Sequence, residues 1–428
     1  MKTCRTLLYT GGMILLTCIP TACAPPKSRY SYARFSPNGR TVAYLRADES
    51  AGIYLPIRDP LFGEFVILRL FSDYVCWFDI DTPASVRKAR IPRSHSASNW
   101  GAPTAFSPDN RFVALVGRKS LYVLDMSAGR FRRIDPKSQN VQQVAWISEK
   151  EVVYSTGTPG DRILWDRDVS FYRERLDRPG GGSELIYREP QGYQQARMSP
   201  NGLYAAVCPR RAPSGQKVLP NRVVNLKKRK ALGLGLPGGE MRSHAWRPDS
   251  SLLACVIAES FDRYQKATPE HLILIDPVKE KVLWRERLPS QLFQHLFWTA
   301  DGEYLCLEVD SKRPDQDGQG LFLIRPERSE FLAFRNGEIP NSVASDDHSW
   351  WRIRSFPVPG WIQLRILYLR EKAYAKNYRT GAIVPLWAGD RAPAIWAVSP
   401  DGSRAVAIDR EGNITVRRVN LNQIDSGK

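Results

Sequence analysis

The sequence predicts an all-β fold built from repeated antiparallel units, and three observations predict it. One tight turn recurs along the chain of 428 residues, each time followed by a short apolar strand. The copies are spaced by 40 to 54 residues, apart from a first step of 71. Helical periodicity, with apolar residues at i, i+3 and i+4, is scarcely visible. A recurring period of this size is typical of a repeat protein.

The turn has the form aromatic or apolar anchor, Ser, Pro, Asp or Asn, Gly. Proline presets φ at the first central position, Asp or Asn hydrogen-bonds the local backbone, and Gly accepts the positive φ that returns the chain. Four copies are near complete and four are weaker. The anchors are Phe35, Phe106, Met198 and Val398 in the former, and Trp146, Trp246, Trp298 and the degenerate copy near Ala344 in the latter.

Most anchors are also followed by a further pair of strands joined by an acidic or polar turn, such as 121–125 with 131–134. Together with the strand that ends at the anchor and the strand after the turn, this makes four short strands a unit. Four antiparallel strands repeated around an axis form a β-propeller. Eight anchors favour eight blades, and seven blades with a degenerate unit also fit. Sandwiches and barrels remain the alternative, but they need no period near 50 residues.

The long first step leaves room for an insertion at 55–71. Its dense apolar content indicates packing against the domain or capping of one face. Because the edges of a propeller must be covered, we expect the two chain ends to pair and close the ring.

The first residues have the pattern of a secretory signal peptide over 1–22: a cationic start, a short apolar run and small residues before Cys23. This resembles a bacterial lipoprotein signal and implies lipidation of Cys23, although Pro20 departs from that pattern. Cleavage without lipidation and an uncleaved anchor are the alternatives. We therefore expect a short tether at 23–34, a propeller over 35–420 and a tail at 421–428.

The chain carries a formal net charge of +18, and loss of Lys2 and Arg5 with the signal peptide leaves +16. Such an excess favours acidic partners. For an exported chain we expect a protein partner or an anionic envelope polymer and no nucleic acid. The densest basic run falls where a hairpin turn is expected and consists of Lys227, Lys228, Arg229 and Lys230. This turn is interpreted either as a binding loop or as a solvated loop.

Cysteine usage argues against a disulfide scaffold. Cys208, Cys255 and Cys306 lie eight to ten residues after successive anchors, which predicts equivalent buried positions, and Cys76 lies elsewhere. We interpret all four as small buried hydrophobic residues. A bridge between neighbouring blades is the alternative in an oxidising compartment.

The repeats resemble the WD40-like propeller repeats of the periplasmic TolB type (PD40 repeats), whose hallmark is the aromatic-Ser-Pro-Asp-Gly turn before an apolar strand. The resemblance extends over essentially all of 28–420. It implies a periplasmic propeller. TolB itself is similar to a six-bladed propeller preceded by an α/β domain, and there is no room for that domain between Cys23 and Phe35.

No catalytic motif is found: the sequence has no zinc-protease helix, nucleophile elbow or phosphate-binding loop. We therefore expect no enzyme, no cofactor and no metal site. His244 and His295 occupy comparable places before their anchors, but a two-histidine metal site would need a defined carboxylate partner.

The candidate binding site follows from geometry. The innermost strand of each blade lines the central channel and leads into the anchor, so polar residues just ahead of the anchors are expected to ring one channel mouth. Their donors and acceptors suit a sugar or a peptide, or simply channel water. The candidates are Gln142, Gln143, Gln194, Gln195, Arg242, His244, Gln294 and His295.

The sequence thus predicts a non-catalytic, monomeric scaffold that is lipid-anchored in the outer membrane, faces the periplasm and binds a protein or a polymer. One alternative is a propeller enzyme acting on glycans as a lyase or hydrolase, for which Arg242, His244 and His295 are the visible start. Another is a regulatory propeller that serves a separate peptidase.

Overall fold

The computed structural model describes the greater part of the chain between Ser28 and Val419. The described residues are 28–49, 53–58, 65–68, 71–92, 105–116, 120–134, 140–157, 169–178, 182–189, 193–209, 219–258, 270–288, 293–309, 320–326, 330–335, 350–355, 361–367, 373–377, 383–387, 393 and 395–419. The predicted signal peptide 1–22, Cys23 and the tail 421–428 lie outside them, as does Ala344.

The described residues form β-strands and no helix. The strands are β1 Ser28–Phe35, β2 Thr41–Glu49, β3 Ile53–Arg58, β4 Phe65–Leu68, β5 Phe71–Asp79, β6 Arg87–Arg90, β7 Ala105–Phe106, β8 Phe112–Val116, β9 Leu121–Asp125, β10 Arg130–Ile134, β11 Asn140–Ser148, β12 Glu151–Gly157, β13 Ser170–Arg175, β14 Glu184–Arg188, β15 Tyr193–Met198, β16 Tyr204–Pro209, β17 Arg222–Asn225, β18 Lys230–Ala231, β19 Glu240–Trp246, β20 Leu253–Ala258, β21 Glu270–Asp276, β22 Lys281–Leu288, β23 Phe293–Trp298, β24 Leu305–Val309, β25 Gly320–Arg325, β26 Glu330–Arg335, β27 Trp350–Ser355, β28 Trp361–Leu367, β29 Ala373–Asn377, β30 Ile383–Trp387, β31 Ile395–Val398, β32 Arg404–Ile408 and β33 Ile414–Arg418.

These strands form successive antiparallel sheets. Within the described residues, seven sheets have four strands: β1-β2-β5-β6, β7 to β10, β11 to β14, β15 to β18, β19 to β22, β23 to β26 and β27 to β30. The last sheet, β31-β32-β33, has three strands, and β3 and β4 form a two-stranded sheet. We number the sheets 1 to 8 in chain order and leave the β3-β4 pair aside. The predicted β-propeller of four-stranded antiparallel blades is confirmed.

Strand order gives the disc two different faces. The turn after each innermost strand and the turn before each outermost strand lie together, because Leu226 N donates to the carbonyl oxygen of Leu203 (2.9 Å) and Met126 N to that of Arg111 (3.0 Å). We call this side the turn face. The remaining connections, between second and third strands and between sheets, lie on the opposite side, which we call the loop face.

The hydrophobic core lies between neighbouring sheets. Along β2, Ala43 and Leu45 pack towards sheet 2 with Phe106, while Val42 and Tyr44 pack towards sheet 8. Side chains of a strand alternate between its two faces, so a strand buried on both faces must be apolar throughout. This explains the uninterrupted apolar run that follows each turn.

The ring closes by packing. β31 lies beside β1, and one core cluster combines Phe35, Val42 and Phe78 of sheet 1 with Val406 and Ile408 of sheet 8. An ion pair between Arg404 and Asp81 joins the same two sheets. We predicted pairing of the chain ends; within the described residues the two sheets instead meet face to face, because β1 and β31 are both innermost strands.

Most anchors end an innermost strand. The innermost strands of sheets 1, 2, 4, 5, 6 and 8 end at their predicted anchors, and Trp146 lies near the end of β11. In sheet 7 the innermost strand is Trp350–Ser355, so the predicted anchor near Ala344 precedes this strand and does not end it. The segment 356–360 reads Phe-Pro-Val-Pro-Gly and keeps the aromatic, proline and glycine of the repeat, which the segment after Ala344 lacks.

The four cysteines among the described residues are free and buried, as their interpretation as small hydrophobic residues predicts. Their predicted equivalence is wrong. Cys208 pairs with Gln195, Cys255 with His244 and Cys306 with Phe297, which are the third, second and first residues before their anchors. From one of these sheets to the next, the position of the cysteine in its strand shifts by one residue. Successive residues of a strand face opposite sides of the sheet, so the three positions are not equivalent. Burial raises the pKa of Cys208 to about 12.

The serine of the turn is a buried hydrogen-bonding centre. Ser199 Oγ accepts from Tyr204 N (3.0 Å) and donates to Asn201 Oδ1 (2.8 Å). The residue three places after this Asn or Asp begins the next strand or directly precedes it, so one hydroxyl ties the turn to the strand. The same bond to a strand amide recurs at Ser36, Ser107, Thr299 and Ser399.

The last turn residue has positive φ and faces the preceding blade. Gly39 has φ +70°, and a Cβ there would lie 3.6 Å from Cδ of Pro400 in sheet 8. Asn110 holds the equivalent place with φ 62°, and its Oδ1 accepts from Asn38 N of sheet 1 (3.2 Å). Ser250 repeats this arrangement, since its Oγ accepts from Asn201 N (3.0 Å).

We expect Gly39→Val to lower the free energy of unfolding by about 1–3 kcal/mol, because a β-branched residue is forced to positive φ. Gly39→Asn is the matched control and should be much milder, since Asn110 already adopts this conformation. Thermal and urea unfolding of the two variants measures the difference. Equal stability of the two variants would contradict the turn geometry.

Candidate binding site in the central channel

A cavity of about 1330 Å³ lies at the centre of the ring. Innermost strands of seven sheets contribute to its wall, namely β1, β7, β11, β15, β19, β23 and β31. Its rim at the turn face consists of turn residues, so the anchor turns converge on one opening. The rim residues are Pro37, Pro108, Pro200, Pro248, Ala300 and Pro400.

The wall is mainly apolar. The residue immediately before the anchor faces the cavity and is usually small, as in Ala105, Ala145, Ala245 and Ala397, while sheet 6 has Phe297 there. Partly exposed aromatic side chains also contribute, among them Trp246 and Trp396. Polar side chains in the lining are few: Arg34, Gln143 and Ser199. The cavity can therefore accept apolar groups over most of its surface.

Two residues of β1 stand out that sequence reasoning missed. Arg34 lines the cavity and is exposed, yet protein surrounds it closely enough that burial lowers its pKa. Tyr32 is 45% exposed and has φ 56° where the β1–β2 register shifts, between Ser31 and Arg34. A bulky residue at positive φ is a backbone outlier of the kind that clusters at functional sites. Position relative to the anchor, one residue ahead, would have identified Arg34.

The predicted residues Gln142 and Gln143 connect two blades. Gln142 Oε1 accepts from Ala196 N (3.2 Å) and Gln143 Oε1 accepts from Met198 N (2.7 Å). Both amides belong to β15 of the next sheet. Gln143 also lines the cavity. Their side chains therefore hold the wall together, and Ser243 Oγ does the same for Leu296 N (3.0 Å).

Arg242 and His244 lie one blade further on. Arg242 forms an ion pair with Glu270, whose side chain is 2% exposed, within the same sheet. Burial, with a smaller contribution from the positive charge of Arg197, lowers the pKa of His244 to about 4. His244 is therefore neutral at neutral pH.

The structure describes the backbone of Gln194, Gln195, Gln294 and His295 but not their side chains. Their register is informative. The β-ladder shifts at Gln142, Gln194, Arg242 and Gln294, each four residues before its anchor, so these four are equivalent bulge positions. His244 and His295 are not equivalent, because they lie two and three residues before their anchors. That all eight candidates form a channel-mouth site stays a prediction.

The basic run forms a turn between β17 and β18 that contacts both neighbouring blades. Lys228 Nζ lies 3.1 Å and Lys230 Nζ 3.4 Å from Oε1 of Glu280 in sheet 5, and Arg229 pairs with Glu184 in sheet 3. Lys227 is exposed in the same turn. Part of the local positive charge is thus balanced by acidic groups of the adjacent blades.

Tryptophan anchors form hydrogen bonds between blades that the sequence did not reveal. Trp146 Nε1 donates to the carbonyl oxygen of Ala105 (2.9 Å) and Trp298 Nε1 to that of Ala245 (3.1 Å). Trp246 Nε1 donates to the carbonyl oxygen of Arg197 (3.1 Å). In each case the acceptor immediately precedes the anchor of the preceding sheet. The cavity wall is therefore fastened strand to strand.

Among the described residues, no group of three or more His, Cys, Asp or Glu side chains is arranged to hold a metal ion. The same part of the chain contains no helix long and apolar enough to cross a membrane.

No protein-family model matches the chain, and no curated protein matches it. Similar solved structures include Kuenenia stuttgartiensis hydrazine synthase, with 13% identity, TM-score 0.46, and coverage of 77% of this chain and 99% of that chain. The β-propeller domain of Myceliophteria thermophila Cps50 (Swd1) has 14% identity, TM-score 0.45, and coverage of 75% and 97%. A mitotic checkpoint complex chain has 12% identity, TM-score 0.44, and coverage of 75% and 91%.

The lowered pKa of His244 makes stability depend on pH. The ordinary value of 6.5 applies to the unfolded chain and about 4 to the folded one, so the unfolded chain binds more protons between these values. Stability should therefore fall as pH drops from 7 to 4.5. Because His244 is partly exposed, we expect this loss to be about 1–2 kcal/mol larger in the native chain than in His244→Gln.

Urea unfolding of both proteins across this pH range measures the effect. Other groups titrate alike in the two proteins, so the pH dependence of the difference in free energy of unfolding isolates the titration of His244. At pH 8, where His244 is neutral in both states, that difference reflects packing alone. Parallel curves would show that His244 titrates normally.

Proposed function

We propose that this chain is a non-catalytic binding propeller of the bacterial cell envelope, tethered by lipid at Cys23, whose central cavity holds a segment of a partner protein. The observation that carries this proposal is the cavity of about 1330 Å³ that opens between the anchor turns. Small-molecule sites usually enclose roughly 300–1,000 Å³, so this volume suits a larger occupant.

The chemistry of the wall supports a protein over a polysaccharide. A sugar offers hydroxyl groups in every direction and needs many donors and acceptors, whereas this lining holds few polar side chains. Apolar side chains of a protein segment match an alanine, proline and aromatic wall. Arg34 adds a positive charge inside the cavity, which favours a segment that also carries an acidic residue.

The rim supports binding without a large ordering cost. Five prolines with restricted φ surround the opening, and buried serine hydroxyls brace several of the turns that carry them. A preorganised site loses little conformational entropy when it binds. The signal-peptide pattern, and the resemblance of the repeat turn to the periplasmic TolB-type repeats, support a periplasmic location for this propeller.

Photo-crosslinking in the native envelope tests the proposal. A photoreactive phenylalanine analogue replaces Phe297, which lines the cavity, and in the control replaces Leu283, which is 43% exposed on the outermost strand β22. We expect position 297 to form one protein adduct that position 283 does not form. Equal adducts at both positions, a glycan adduct at 297 or no adduct at all would overturn the proposed protein site.

Two substitutions sharpen the result. Ala300→Trp places a bulky side chain on the rim and should abolish the adduct, while Arg34→Glu should weaken it by reversing the charge in the cavity. Arg40→Glu is the matched control, because Arg40 is exposed on the turn of the same blade and does not line the cavity. An effect of Arg40→Glu as large as that of Arg34→Glu would show that overall charge and not the cavity attracts the partner.

A further inference from the structure

The strands β3 and β4 form a hairpin that belongs to no blade sheet. Ile53 pairs with Leu68, Tyr54 with Ile67 and Leu55 with Val66, and the two strands form a sheet of their own. The hairpin joins β2 to β5 of sheet 1, in which Glu49 pairs with Phe71. It therefore belongs to the connection between the second and third strands of sheet 1, on the side of the loop face. We call these two strands, β3 and β4, the arm.

The composition of the arm is unusual for an extra hairpin. Five of six residues in β3 and all four in β4 are apolar or aromatic, with Arg58 the exception. Successive residues of a strand belong to opposite faces, so apolar residues occupy register positions on both faces of the ribbon. A two-stranded hairpin is marginally stable by itself in water. Both properties call for an apolar surface that covers the arm.

The place where the chain enters the disc indicates what covers it. β1 begins at Ser28, which pairs with Asp48 at the end of β2, so the chain enters the disc at the same edge from which the arm departs. Four residues separate Cys23 from Ser28, and the five steps along the chain between them span at most roughly 17 Å. The six residues of β3 span about 20 Å. A bilayer held by a lipid on Cys23 thus lies within reach of the arm.

We propose that the arm is an interfacial membrane anchor, which lies at the headgroup level of the bilayer that carries the lipid of Cys23. The loop face is then turned towards the membrane, and the cavity at the turn face opens away from it. This orientation uses the tether of the proposed function, whereas the affinity of the arm for lipid does not need it.

The depth follows from hydrogen bonding and charge. The outer edges of a two-stranded ribbon leave backbone groups unpaired, and such groups do not enter the hydrocarbon core. Apolar and aromatic side chains in an interfacial segment bury about 5–10 Å into the boundary of headgroups and acyl chains. Arg58, the last residue of β3, is charged, which favours a place of this strand end in the polar layer. Tyr54 and Phe65 are aromatic residues of the kind that suits this layer.

Fluorescence of the non-lipidated mature chain, which begins at residue 23 and carries Cys23→Ala, tests the arm. An environment-sensitive fluorophore is attached through Val66→Cys in the arm, or through Ser85→Cys, an exposed position on the turn face of the same sheet. The probe is vesicles of phosphatidylethanolamine and phosphatidylglycerol. We expect a blue shift and quenching by lipid-borne quenchers at position 66 only.

A second measurement uses the unlabelled chain. The double variant Ile57→Asp with Ile67→Asp should lower vesicle co-sedimentation about tenfold or more, since charges replace apolar groups at the interface. Its melting temperature should stay close to that of the parent, because the arm lies outside the ring of blade sheets. This control separates loss of binding from loss of fold.

Several outcomes overturn the proposal: no shift at position 66, equal shifts at 66 and 85, or undiminished binding of the double variant. A shift at position 66 that appears with protein concentration and without vesicles would mean that a second copy covers the arm. Mass spectrometry of the envelope-purified chain tests the lipid on Cys23 separately. An unmodified Cys23 would therefore end the tether while leaving the result for the arm intact.

Discussion

The contact between the innermost strands of neighbouring blades is the constraint on which the structure depends. A blade of four strands buries both faces, so it is stable only between two others. At the narrow centre of the ring these strands lie side by side, and the polar backbone groups on their unpaired edges need partners. The indole of Trp146, Trp246 or Trp298 supplies one from the following blade, and the side chains of Gln142, Gln143 and Ser243 supply others.

The contact between innermost strands also determines the shape of the cavity opening at the turn face. An anchor held against its neighbour fixes the turn that follows it, and the prolines of successive turns then stand around one opening. The last residue of each turn contacts the turn of the preceding blade. A glycine there lets adjacent turns approach closely, while Asn110 and Ser250 use the same place to bind the backbone of the preceding turn. Stability of the ring and geometry of the cavity therefore have one origin.

The two faces of the disc are suited to different tasks. The turn face consists of short, hydrogen-bonded turns around the cavity, which makes a firm surface for recognition. The loop face bears the entry of the chain at Ser28 and the arm of β3 and β4. In the proposed arrangement the membrane is held at the loop face, and the cavity at the turn face stays accessible. The salt bridges of the basic turn to Glu280 and Glu184 lie on the surface and also connect neighbouring blades.

Features that depend on neighbours along the chain could be predicted from the sequence. Ser-Pro-Asn-Gly after Phe35 encodes a tight turn by its own dihedral preferences, and an uninterrupted apolar run such as 42–45 encodes a strand buried on both faces, so repeat, strands and propeller followed from the sequence alone. Contacts between residues some 50 positions apart did not. Gln143 was recognisable as polar and close to the channel, but only the packed blades show that its amide oxygen is engaged by Met198 N.

Register was the second property that only the tertiary structure decided. Cys208, Cys255 and Cys306, and likewise His244 and His295, lie in corresponding strands of their blades but occupy successive steps of those strands, and the register decides which side of the sheet each residue faces. Arg34 and the small residues ahead of the other anchors face the cavity for the same reason. The sequence by itself determined the repeat and its turns, because these depend on neighbours along the chain. The wall of the cavity was decided by the closed ring, because it depends on which side of each innermost strand faces the axis.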